Sequence, residues 1–82
     1  MELIETIDGM KSADYKERFK AEYWQVKIRA RKLREFIIKI KKNQLDFIPK
    51  CSHDILEDQL RYMLAYESIL KERAEIEGIN LD

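Results

Sequence analysis

The sequence predicts an all-α protein: an antiparallel helical hairpin with a short N-terminal arm or helix, assembling into a homo-oligomeric helical bundle. Three observations carry that prediction. Gly and Pro together supply only three of 82 residues, and both interrupt helices. Apolar or small residues recur at steps of four and three along Phe19, Tyr23, Val26, Ala30, Leu33, Ile37 and Ile40, which is the seam of a helix that packs on another at a small angle. Finally, a chain of this length buries roughly 60% of its unfolded surface, so copies are expected to associate.

Residues 1–11 read as the arm and residues 12–82 as the hairpin, with a helix over about 13–42, a linker over 43–52 and a helix over about 53–77. Asp8-Gly9 signals a turn, and Ser12 and Asp14 are placed to cap the first long helix. Trp24, Ile28 and Phe36 widen its apolar stripe. Pro49 stops the helical run and biases Ile48 towards extended backbone, so Leu45, Phe47 and Ile48 are expected to fold back on the helix ends. Ser52 caps the second helix, and Asp54, Glu57 and Asp58 suit its positive end. Two apolar rows follow at heptad spacing, Ile55-Tyr62-Ile69-Ile76 and Leu56-Met63-Leu70, with Leu60 and Ala74 extending the face. Gly78 is placed to end the helix, with Ile79 and Leu81 packing back.

The net charge of zero conceals an asymmetry. Residues 11–42 carry 12 Lys or Arg against 4 Asp or Glu, and residues 51–82 carry 3 against 8. One reading is that the basic helix lies beside the acidic one and selects the hairpin or a second copy. The other is that part of the surplus binds an anion. Lys27, Arg29, Arg31, Lys32, Arg34, Lys39, Lys41 and Lys42 cannot all face the acidic helix. Tyr15, Tyr23 and Trp24 lie among these cations, and aromatic faces stack bases while Lys and Arg hold phosphates. Tyr23 and Lys27 are four apart and Tyr15 and Arg18 three apart, each pair on one helix face.

Several function classes are disfavoured. One Cys and one His supply neither a disulfide framework nor a self-contained zinc site. Cys51 and His53 lack a third orienting group, and they read as a buried thiol and a capping-region imidazole. There is no Gly-rich phosphate loop and no Glu-x-x-His pair. An enzyme is not expected, nor a catalytic residue, a metal or a cofactor. The acidic start lacks the features of a signal peptide and no apolar run spans a bilayer, which predicts a cytoplasmic protein without a membrane partner. The balanced charge argues against nucleic acid as a partner.

The chain also carries a longer pattern. Tyr15-Lys16-Glu17-Arg18-Phe19-Lys20-Ala21-Glu22-Tyr23 leads to Leu33, Phe36 and Ile37, and Leu45-Asp46-Phe47 with Cys51 follows. Then comes Leu56-x2-Gln59-Leu60-x2-Met63-x2-Tyr66-x2-Ile69-Leu70-x2-Arg73-Ala74-Glu75-Ile76-Glu77-Gly78-Ile79. Over residues 14–81 this resembles small phage helical-hairpin proteins related to an uncharacterised protein of crAss-like phages. More distantly it is similar to phage anti-CBASS sponges, homo-oligomers of helical hairpins that hold cyclic oligonucleotide signals between protomers. The resemblance implies a phage anti-defence protein in the host cytoplasm that sequesters a cyclic di- or trinucleotide, or a related nucleotide signal, without cleaving it. It implies Tyr15 or Tyr23 for base stacking and Arg18 or Lys27 for phosphate, and Tyr66 and Arg73 fall on its motif. The alternative is a small homo-oligomeric interaction module that binds and inhibits a host protein.

Overall fold

A computed structural model describes residues 1–82. A 3-10 turn, Leu3–Thr6, runs into the short helix α1, Ile7–Met10. Two long helices follow: α2, Tyr15–Lys41, and α3, His53–Glu77. The molecule measures 43 × 24 × 18 Å, close to the length of α2 itself. No helix is long and apolar enough to cross a membrane.

Local chemistry sets each boundary. The Asp14 carboxylate accepts from Lys16 N at 2.9 Å, and Ser12 Oγ accepts from Asp14 N at 3.1 Å. These two acceptors satisfy donors that the first helical turn leaves free. Helix α2 therefore starts two residues later than the expected position 13. Ser52 Oγ accepts from Ile55 N at 3.2 Å and caps α3. At the far end Gly78 takes φ 68°, a left-handed conformation, and Ile79 N donates to Ala74 O at 2.8 Å. Asp8-Gly9 does not turn the chain: Gly9 lies inside α1, and the reversal comes at residues 11–14.

Helices α2 and α3 pack antiparallel, since Phe19 meets Arg73 near one end and Lys41 meets Glu57 at the other. The core between them is Phe19, Tyr23, Leu70, Ala74 and Ile79, with Val26, Trp24 and Leu81 against it. Small Ala74 beside two aromatic rings lets the helices approach closely. On α3 the buried row is Leu56, Leu70 and Ala74, with Leu60 and Met63 half-buried. The companion row Ile55-Tyr62-Ile69-Ile76, expected on the same packing face, is solvent-exposed, up to 80% at Ile76. The reason is angular. The two rows sit about 100° apart around the helix, and one neighbouring helix covers only one of them.

The arm covers a different face of α2. It runs back along the helix, with Glu2 paired to Lys32 at 3.8 Å, the Gln25 amide on Thr6 Oγ1 at 3.2 Å, and Gly9 against Ala21 and Glu17. Ala21, Ile28 and Thr6 are buried in consequence. The first long helix, α2, is thus the middle layer, between arm and α3. In the linker, Phe47 stacks on Phe36 with ring centroids 6.3 Å apart. Ile48 does not fold back; it is 93% exposed, and a proline ring at the next position disfavours the helical conformation there. Cys51 is exposed rather than buried, as it precedes α3 and lies outside the helix interface. The His53 Nε2 lies 3.2 Å from Glu57 Oε1, one turn along α3.

Candidate functional site

The six candidate residues divide into a core position and two surface regions. Tyr23 is 3% exposed; its ring is part of the hairpin core and presents no open face to a ligand. Lys27, one turn later, reaches back over that core. Its ammonium lies 4.8 Å from the centroid of the Trp24 ring and 5.6 Å from that of Tyr23, and donates to the Tyr23 hydroxyl at 3.5 Å. The Tyr23 and Trp24 rings meet edge to face at 5.5 Å. Lys27 is thus fixed over an aromatic pair by quadrupole attraction. Trp24 is the residue that the six candidates omit, although its i,i+3 spacing to Lys27 was legible in the chain.

The second region lies where α2 begins and α3 ends. Tyr15 opens α2 and is half-exposed. The Arg18 guanidinium donates to the Ser12 carbonyl at 2.8 Å and closes the turn into α2. The Arg73 guanidinium lies 4.9 Å from the centroid of the Phe19 ring and 3.7 Å from Glu77. Tyr66 stands two turns before Arg73, about 10 Å along α3, and its hydroxyl donates to the Glu22 carboxylate. Nine residues at about 100° each put Lys27 half a turn round α2 from Arg18. One copy of the chain therefore does not gather the six residues into a single pocket.

Cations remain free on the surface. Of five ion pairs, only Lys41–Glu57, at 3.1 Å, joins α2 to α3. Arg29, Arg31, Arg34 and Lys39 make none, and all four are exposed. The opposite charges of the two helices are therefore not neutralised within the hairpin. Arg31 and Arg34, one and two turns beyond Lys27, continue its face of α2.

A cleft of about 300 Å³ lies between arm, α2 and the segment after α3. It holds none of the six candidates. Glu5, Asp8, Glu17 and Asp82 line it against Lys20, with Trp24 at its wall. Four carboxylates against one ammonium disfavour a phosphate there.

A family model described as Sequestin matches residues 13–76. That span takes in both long helices up to the last turn of α3 and leaves the arm outside. No curated protein and no solved structure matches the chain.

Proposed function

The chain belongs to the Sequestin family, and on that premise we propose that it binds and sequesters a nucleotide immune signal, a cyclic di- or trinucleotide or a related molecule, without cleaving it. The protein acts as a phage anti-defence factor in the host cytoplasm, as a homo-oligomer that holds its ligand between copies. The family's name supports sequestering. The nucleotide class rests on the distant resemblance to phage sponges, whose stacking ring and phosphate-binding cation find their nearest matches by position in Tyr15 or Tyr23 and in Arg18 or Lys27.

The observation that carries the reading is the fixed cation over rings at Lys27, Trp24 and Tyr23, with Arg31 and Arg34 unpaired on the same face. A phosphate is met by ammonium and guanidinium donors in charge-assisted bonds, and Trp24, half-buried where Tyr23 is closed off, is the ring left to stack on a base. Assembly is part of the proposal because a single hairpin encloses no cationic pocket of nucleotide size.

The test is calorimetry of the purified protein against a panel of cyclic di- and trinucleotides and cyclic ADP-ribose-type molecules. The expected result is micromolar or tighter binding to at least one, with the ligand recovered chemically intact after heat denaturation. Absence of binding across the panel, or recovery of a cleaved product, overturns the proposal. A second reading, a module that binds and inhibits a host protein, draws on the exposed apolar row of α3. It predicts stoichiometric capture of one host protein by the tagged chain and no nucleotide binding.

A further inference from the structure

We propose that the outer row of α3 is the surface on which a second copy of this chain docks, antiparallel, across a two-fold axis passing near Tyr66. The proposal rests on the reading that copies associate, and it names the face and the orientation. It is independent of what the ligand is.

The row begins at Ile55 and ends at Ile76, with Tyr62, Tyr66 and Ile69 between. All five are exposed, from 42% at Tyr66 to 80% at Ile76. Gln59 and Arg73 fill the remaining positions, so the steps are 4, 3, 4, 3, 4, 3. Such a seam, about 32 Å long, is what a second helix at a small crossing angle fills. Neither α2 nor the arm fills it: α2 occupies the adjacent face of α3 and the arm packs on the far side of α2.

The composition of the row selects a second copy. A two-fold interface uses one patch twice and must be complementary to itself. Read from either end, this row gives an isoleucine, then a polar residue, then an apolar pair, with Tyr66 at the centre. An antiparallel copy sets Ile55 against Ile76, Tyr62 against Ile69, and Tyr66 against its own equivalent. Charge agrees with that register. It brings Arg73 to the second copy's Asp58 and Gln59. A parallel copy sets Arg73, Arg61 and Glu72 each against its own kind, which is repulsive. Within one chain the ion pairs of Arg61 and Arg73 are short-range and exposed, Arg61–Asp58 at 3.1 Å and Arg73–Glu77 at 3.7 Å, and contribute little; the Arg73 guanidinium also leans over the Phe19 ring of α2. In this arrangement Tyr66 and Arg73 lie on the boundary between copies, so a ligand held there meets side chains from both.

Solution mass and oxidative cross-linking test the proposal without any ligand. By light scattering the protein is expected at twice its 9.9 kDa chain mass or more. Ile69→Glu is expected to halve that mass at least, with helical circular dichroism unchanged because Ile69 lies outside the hairpin core. In a Cys51→Ser background, Tyr66→Cys is expected to cross-link to itself, whereas Ile76→Cys, about 30 Å from its equivalent in the antiparallel pair, is not. A 9.9 kDa native protein, an unchanged mass in Ile69→Glu, or self-linking of Ile76→Cys overturns the proposal. Nucleotide binding by a protein that is monomeric here overturns this interface and leaves the sequestering function standing. A dimer that binds no member of the panel does the reverse.

Discussion

The Trp24 indole N–H donates to the Leu81 carbonyl at 2.7 Å, across 57 positions of sequence. This bond ties the segment after α3 to the middle of the fold. It also orients the indole that Lys27 covers. Trp24→Phe keeps a ring and removes the donor, leaving the carbonyl to water or to nothing. The expected cost is about 1 kcal/mol, read as a fall in melting temperature of roughly 4–8 °C for a domain of this size. An unchanged melting temperature would show that the bond contributes nothing net.

Leu70 is wholly buried, at 0% exposure, while its neighbour Ile69 is 54% exposed. Leu70→Ala removes three carbons from the contact between Phe19, Tyr23 and Ala74. The expected loss is roughly 2–5 kcal/mol, a large part of the total stability of a small domain. Urea unfolding followed by circular dichroism measures it. Ile69→Ala is expected to move the intrinsic stability of the hairpin far less, when both are measured at concentrations where copies are dissociated.

The two glycines are required for opposite reasons, and substitution separates them. Gly78 has open space around it but a φ of 68°, so Gly78→Ala incurs backbone strain of about 1 kcal/mol with no change in packing. Gly9 has no positive φ, but a Cβ there meets Ala21 Cβ at 3.1 Å and the Glu17 carbonyl at 3.3 Å. Gly9→Val is therefore expected to lift the arm from α2. Hydrogen exchange reads the difference: faster exchange in residues 3–10 for Gly9→Val, and only at the end of α3 for Gly78→Ala.

Lys27 stands over the Trp24 and Tyr23 rings and makes no ion pair within the chain. Lys27→Met keeps most of the aliphatic length and removes the ammonium. If a phosphate is held there, the affinity for the nucleotide identified by calorimetry is expected to fall about tenfold or more, the worth of a charge-assisted hydrogen bond. The melting temperature should move by no more than an exposed cation–ring contact is worth, roughly 0.5–1 kcal/mol. The native affinity is also expected to weaken as salt rises from 50 to 500 mM, since solvent-exposed cations are screened.

Much of this fold was legible in the residues because its signals are local. Asp14, Ser52, Pro49 and Gly78 each act within a turn of their own position, through a side-chain oxygen, a missing N–H or a permissive φ. The α2 seam and its antiparallel partner followed from spacing. The candidate site was legible only in part. Lys27 and Tyr23 do meet, as their i,i+4 spacing requires, yet Tyr23 is taken by the core and Trp24 supplies the nearer ring. Tyr66 and Arg73 are on one helix with Tyr62 and Ile76, and nothing in their spacing told whether that side faced α2 or water.

By itself the sequence determined where the helices start and stop, that two long ones pair, and that positive and negative charge lie on different helices. Only the tertiary structure decided which apolar row of α3 turns inward, that the arm claims the Ala21–Ile28 face of α2, and that six candidate residues separate into a core ring and two surface regions. The physical reason is that periodicity defines stripes on a cylinder, while choosing between stripes takes the shape of the neighbour. Ala74 and Leu70 fit against Phe19 and Tyr23, and that fit leaves the tyrosine- and isoleucine-bearing row of α3 outside.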